Sequence, residues 1–558
     1  MRKNLLALSI AAMVGGLSGV ANAQSLNTAG TLDLISFNPV NPADAAVVAP
    51  LAAPAAQQLA PTTTGIGHIL TVPYFSTQDG NATLLSLINT DTVNGKAVKV
   101  RFRGAANSDD VMDFQVFMSP GDVWTAAVTA GADGIAQVQT ADNTCTVPSL
   151  GFNTPQAFTT SRLNPNHTDE AKASGTREGY VEIFNMADIP SDKIYTVDGK
   201  TAQSPLYTAI KHVSGVAPCS VAGSAAQTTL TDIALENYTN EWDAANVGFN
   251  TPTGGLMGDW YIINVPETTT FSGAATAVKA VGGTGRGNFV HFPQIDTSVS
   301  AASIDQFTAD PLLRTRAYRT DSVLNKTGGK VSASVALAAG NYDLPDMSTP
   351  YLALASYAPL IAGYNVGDAS LAGYTANDFY PLAQAAALTN ALSVSSVTNQ
   401  YANDASISAK TDWVFSMPTR RYAVAVDYAG KKLEFNSGVV AHFTAGNTSL
   451  NATTLQACVT PGGALKGYSR EEDTQSTFVI SPDTALKLCG ETSVLTFGSE
   501  KVLKASIAAR TVPVNYAEGW LTVGTTGLGN GLPVIGYAAT KAAGATNLGG
   551  TWMHRTSK

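Results

Sequence analysis

GKAVKVRFRGA, residues 95–105, decides the fold class. Val98, Val100 and Phe102 alternate with Lys99, Arg101 and Arg103. A period of two sends successive side chains to opposite faces, which is the signature of a strand and not of a helix. The pattern predicts a half-buried strand, its apolar face in a core and its charged face toward water. Upstream, GHILTVPYFSTQDGNATLLSLINTD (67–91) carries two apolar runs around the turn-rich STQDGNA. Downstream, VMDFQVFMSPGDVWTAAV (111–128) carries two more, split at Pro120-Gly121. A meander of this kind must be covered by a second sheet or by helices.

Four later segments share a pattern: REGYVEIFNMADI (177–189), MGDWYIINV (257–265), KTDWVFSMPT (410–419) and AEGWLTVGT (517–525). Each sets an acidic residue or glycine before an aromatic-led strand, and the aromatic reads as a core anchor. Trp260, Trp413 and Trp520 are therefore read as packing residues, and as sugar platforms only where a structure shows them exposed. Strands scattered from residue 65 to 540 predict a mainly β fold, one or two antiparallel β-sandwiches assembled from dispersed pieces with Ala-rich helical and loop insertions. DFYPLAQAAALTNAL (378–392) is the strongest helix candidate; stretches at 45–60 and 331–340 are weaker ones.

Residues 1–23 read as a secretory leader. Arg2 and Lys3 precede an apolar run from Leu5 to Val20, and Ala21-Asn22-Ala23 supplies small residues at the cleavage positions. Export through the Sec pathway to the cell surface or beyond is expected, without a transmembrane helix. Residues 24–64 are rich in Pro and Ala and read as an extended arm or linker, because repeated prolines block helix and remove ladder donors. The expected organisation is then a β-sandwich domain at 65–300, a partly helical insertion at 301–409, and a β segment at 410–558 that completes or extends the sandwich.

Charged residues make up only 13% of the chain, with a net charge of −9, against about 25% in ordinary globular proteins. Nucleic acid calls for clustered Lys and Arg, so it is excluded as a partner. A weakly charged surface suits packing against like copies, since few charges are desolvated at each contact. The four cysteines Cys145, Cys219, Cys458 and Cys489 read as two disulfides in an exported chain. Three pairings are open; the sequential one, Cys145–Cys219 and Cys458–Cys489, is favoured because it stays local.

No chemistry-bearing motif stands out. The six histidines are dispersed, and H-E-x-x-H, G-x-S-x-G and the P-loop do not occur. GGTGRGN (282–288) reads as a turn. Calcium is the one cofactor the acidic turns point to, with candidate ligands Asp109, Asp110 and Asp113 in NSDDVMD, Asp79 in STQDGN, and Asp343 and Asp346 in DLPDM, although none fits a twelve-residue EF-hand loop. YSREEDTQ (468–475) reads as a charged exposed loop, with an interface latch through Arg470 as the alternative.

SDDVMDFQVFMSPGDVWTAAV, REGYVEIFNMADI, KTDWVFSMPTRRY, YSREED, LCGETSVLTF, GLPVIGYAAT and the closing MHRTSK occur in the order seen in a family of secreted proteobacterial cell-surface proteins. The chain resembles that family over residues 65–558. Its members are mostly uncharacterised or assigned to surface layers; the resemblance implies export and surface location and offers no enzymatic role to carry over. The expected function is a structural protein that self-assembles into a surface layer or related envelope assembly, itself its main partner and outer-membrane lipopolysaccharide its anchor. A monomeric secreted adhesin or ligand-binding β-sandwich is the alternative.

Overall fold

The computed structural model describes Ala56 and residues 58–294 and 380–558, apart from short internal stretches, chiefly 236–243, 436–441, 476–485, 513–515 and 544–546. The protein is mainly β, built from antiparallel sheets with few helices.

The basic strand Asn94–Gly104 lies near the centre of the first sheet, between Glu178–Pro190 and Asp110–Met118. Ile69–Ser76, Thr276–Val281 and Gln58–Pro61 continue that sheet on one side, and Cys145–Val147 closes it on the other. The second sheet has Asn81–Asn89 between Val123–Ala130 and Leu256–Asn264. The turns at Gln78–Gly80 and Pro120-Gly121 fall where the sequence puts them, and Asp79 takes a left-handed conformation with φ of 46°. Val98, Val100, Phe102 and Phe114 from the first sheet meet Leu85, Leu87, Trp124 and Val128 from the second in one core. The rings of Phe114 and Trp124 lie 5.6 Å apart.

Two five-stranded sheets form the second half. Glu518–Gly524 and Ser396–Ala402 lie side by side in the third, and Thr492–Phe497, Lys410–Ser416 and Ile535–Ala543 are the middle of the fourth. Tyr401, Trp413, Phe497 and Leu521 pack between these sheets. The opposite face of the fourth sheet sends Val414, Val494, Tyr537 and Ala539 into the core of the first half, where Tyr537 meets Trp260 at 4.5 Å. The two sandwiches therefore share apolar interior.

Both disulfides form as sequential pairs. Cys145 and Cys219 tie a strand to a 3₁₀ turn, and Cys458 and Cys489 face each other on paired strands, with Cα separations of 5.7 and 3.9 Å. The helix Tyr380–Leu392 matches the strongest helix candidate. GGTGRGN turns at Gly282, whose carbonyl accepts from the Gly285 N–H at 3.0 Å.

Two expectations are corrected. The charged face of the basic strand is not in water: Lys99 and Arg101 are 0% exposed and Arg103 is 2%. Alternation separates two chemistries, and here a second layer of protein covers both. Trp260 and Trp413 are buried, but Trp520 is 43% exposed and lies on the outer face of the third sheet. Two strands fall within segments expected to be arm or insertion. Gln58–Pro61, expected in the arm, pairs with Thr276–Val281, and Ser396–Ala402, expected in the insertion, is an inner strand of the third sheet. The stretch 331–340, most of 45–60, and Asp343 and Asp346 lie outside the described residues.

Candidate functional site

The basic strand places Lys99, Arg101 and Arg103 on one face, and its neighbours place Asp113, Gln115 and Glu182 beside them in register. Gly179 permits the tight pairing, since a Cβ there would stand 1.7 Å from the Arg103 carbonyl oxygen. Lys99 Nζ donates to Asp113 Oδ1 and Gln294 Oε1. Arg103 Nε donates to Glu182 Oε2 at 3.2 Å, and its Nη1 lies 3.7 Å from Asp110 Oδ2.

The second half supplies the lid of this layer. The short helix Arg420–Ala423 sends Arg421 Nη2 to Glu182 Oε2 at 3.1 Å, while Arg420 Nε donates to Glu491 Oε2 at 2.5 Å. The Arg421 N–H reaches the other Glu491 oxygen at 3.0 Å. Burial pushes the Asp113 carboxyl up to about 7 against the pull of Lys99, and brings Lys99 down to about 8. Buried charges persist only when paired and hydrogen-bonded. This layer clamps the two halves together, and its charged groups are committed to one another.

A cleft of about 380 Å³ opens at the edge of that layer, within the size range of small-molecule sites. One wall comes from Gly104–Asn107, the loop at Leu163–His167 and the helix Asp169–Gly175, whose N-cap Thr168 accepts from the Ala171 N–H. The other wall comes from Tyr428, Thr453–Gln456 and Ser506–Arg510. The floor is polar and buried: Asn107, Asp109, Asn164 and Gln456 are each no more than 6% exposed. Tyr428 donates its hydroxyl to Asp109 Oδ2 at 2.6 Å and accepts from Asn107 Nδ2 at 3.1 Å.

The walls are held from behind. Glu178, buried and hydrogen-bonded by Tyr74 at 2.8 Å, accepts the N–H groups of Ser506, Ile507 and Ala508. Asn107 fixes the facing strand by donating to the Leu455 carbonyl at 2.7 Å and accepting the Ala457 N–H at 3.2 Å. Burial pushes Asp109 up to about 7. Burial, then nearby Lys172, holds His167 below its ordinary value.

The calcium candidates are parcelled out. Asp109 belongs to the cleft and Tyr428, Asp110 faces Arg103, and Asp113 is held by Lys99 and Gln294. Asp79 stands exposed on its turn, away from them in the chain. Among the described residues no group of three or more His, Cys, Asp or Glu is placed to hold a metal ion. Arg470 pairs with Glu471 at 2.9 Å and Glu518 at 2.6 Å within its own chain, on an exposed loop where such pairs contribute little.

Exposed apolar side chains collect near the C-terminus. Leu548, Trp552 and Met553 all lie in Asn547–Met553, the edge strand of the fourth sheet, and Trp520 stacks on Tyr468 across the third sheet at 4.4 Å. Among the described residues, no helix is long and apolar enough to cross a membrane. No family model, curated protein or solved structure matches this chain.

The sequence reading found Asp109 but not its company. Asn107, Asn164, His167, Gln456 and Arg510 belong to no motif, and separations of 289 to 403 residues between the first three and the last two hide their proximity.

Proposed function

We propose that this chain is an exported structural protein of the cell envelope that associates with copies of itself, with a surface layer or related assembly as the product. The observation that carries the reading is the strand Asn547–Met553. It ends the fourth sheet and packs beside Thr269–Ala274 of the second, where the Ser272 N–H donates to Thr551 Oγ1 at 3.1 Å, yet Leu548, Trp552 and Met553 remain 67%, 37% and 42% exposed. Exposed apolar groups gathered on one strand mark contact sites. The next strand, Arg555–Ser557, is exposed throughout and forms the outer edge of the third sheet. Its outward backbone groups can accept a strand from another copy.

The leader-like residues 1–23, the two disulfides and the low charge support export and close packing. Lipopolysaccharide is the anchor this reading calls for, and calcium at exposed carboxylates is a clamp it accommodates. Sedimentation velocity on the chain from Gln24 onward, with and without calcium, tests the reading. Concentration-dependent assembly is expected, with Leu548→Lys and Trp552→Lys shifting it to monomer. A monomer at every concentration in both buffers, or assembly indifferent to both substitutions, would contradict it.

A further inference from the structure

We propose that the cleft between the two halves binds a neutral saccharide, of mono- or disaccharide size. The cleft has a buried floor and an exposed rim: Asn107, Asp109, Asn164 and Gln456 lie below, and Thr453, Thr454 and Ser506 lie at the mouth. This graded polarity is that of a site for a ligand carrying many hydroxyls, because amide and hydroxyl side chains both donate to and accept from vicinal hydroxyls, and a carboxylate accepts from them. Tyr428, Leu163 and Ile507 add apolar surface for the C–H face of a sugar ring.

Charge decides against the other ligand classes. Arg510 is the guanidinium of the cleft, and it is spent on the Ala509 carbonyl at 2.6 Å and on Gln456 Oε1 at 2.7 Å. His167 is held toward its neutral form by burial and Lys172. An anion therefore meets no cation aimed at it among the described lining residues. A cation meets one carboxyl, Asp109, whose Oδ2 already accepts the Tyr428 hydroxyl. A neutral polyol needs neither charge: the Thr453, Thr454 and Ser506 hydroxyls stand at the mouth to meet it, while Asn107 and Gln456, already hydrogen-bonded within the protein, hold the floor in shape.

The walls are also preorganised. Glu178 pins Ser506–Ala508 from one side and Asn107 pins Leu455 and Ala457 from the other. A site whose walls are fixed by buried hydrogen bonds loses little entropy on binding. The inference is independent of self-association, because the cleft and the edge strand Asn547–Met553 share no residue.

Saturation-transfer NMR on the chain from Gln24 onward tests it, with glucose, galactose, mannose, N-acetylglucosamine, maltose and lactose as probes at millimolar concentration. Transfer to the ring C–H protons of at least one probe is expected. Ala171→Trp and Thr454→Trp, which fill the cleft from its two walls, should each weaken binding at least tenfold by titration calorimetry, with unchanged circular dichroism. Leu548→Lys should leave binding unaltered. Absence of transfer from all six probes would overturn the proposal. So would binding that survives both tryptophan variants, or displacement of the sugar by equimolar acetate or putrescine.

Discussion

Arg421 Nη2 stands 3.1 Å from Glu182 Oε2, and the two residues are 239 positions apart in the chain. Glu182 belongs to the first sheet and Arg421 to the short helix after the central strand of the fourth. Both are buried, and Arg103 shares the same Glu182 oxygen at 3.2 Å. This carboxylate joins the basic strand to the second half of the chain. Gly490 reinforces the join, since a Cβ there would lie 2.5 Å from the Ala105 carbonyl oxygen.

Removing one member of such a pair strands a buried charge. Glu182→Gln is therefore expected to lower the free energy of unfolding by roughly 3–5 kcal/mol, and Arg421→Met by a similar amount. The double variant should lose less than the sum of the two. Urea unfolding followed by tryptophan fluorescence measures this. Additive losses would show that the two side chains act separately.

How far the sequence speaks is visible in the basic strand itself. Its period of two correctly sets Val98, Val100 and Phe102 against Lys99, Arg101 and Arg103. The same period cannot say that Arg420, Arg421 and Glu491 arrive from more than 300 residues away to cover the charged face. Trp520 fails for the same reason: a strand start is legible at Glu518, but which face meets a neighbouring sheet depends on the third sheet as assembled. The sequential disulfide pairing was legible from four cysteines in an exported chain and a preference for local pairs, although the Cys145–Cys219 loop spans 74 residues and ends on a 3₁₀ turn. The cleft was not, because its floor joins Asn107 and Asp109 to Gln456 by tertiary packing alone.

Asp412 predicts a pH dependence. It lies on the central strand of the fourth sheet, 0% exposed, with Oδ2 accepting the Leu503 N–H at 2.8 Å. Burial raises its carboxyl from 3.8 to about 7. The folded state thus keeps a proton that the unfolded chain releases, so this group's stabilisation is full below 3.8 and is lost as pH rises to about 7. Asp412→Asn has no proton to lose. Thermal unfolding across that window should show a shallower fall of stability with rising pH in the variant, and its melting temperature should gain on the wild type between pH 5 and pH 8. An unchanged slope would place the titration elsewhere.

His554 acts with the opposite sign. It sits between the last two strands, where its Nε2 lies 2.8 Å from the Val414 carbonyl and its Nδ1 lies 3.0 Å from Asn399 Nδ2. The contacts fit a neutral ring that donates to Val414 and accepts from Asn399. Burial lowers its value from 6.5 to about 4, so its contribution is full above 6.5 and is lost as pH falls toward 4. Hydrogen exchange, corrected for intrinsic rates, should show residues 547–558 losing protection between pH 7 and pH 4.5 before the first-half sheets do. Equal loss in both regions would contradict a local role.

The Cys458–Cys489 bridge closes the strand pair that carries one wall of the cleft, with Gly490 N–H donating to the Ala457 carbonyl at 2.8 Å. Cys458→Ser combined with Cys489→Ser should cost about 2–4 kcal/mol by urea unfolding. It should also weaken saccharide binding, because Thr454 and Gln456 lose their anchor. Full binding in the bridge-less variant would show that Asn107 alone holds that wall.

Self-association is the centre of this account, and negative-stain electron microscopy of washed envelopes from cells that express the chain tests it most directly. A periodic sheet that disappears when Trp552→Lys replaces the wild type is the expected result. A featureless envelope in wild-type cells, with the protein present and folded, would contradict it.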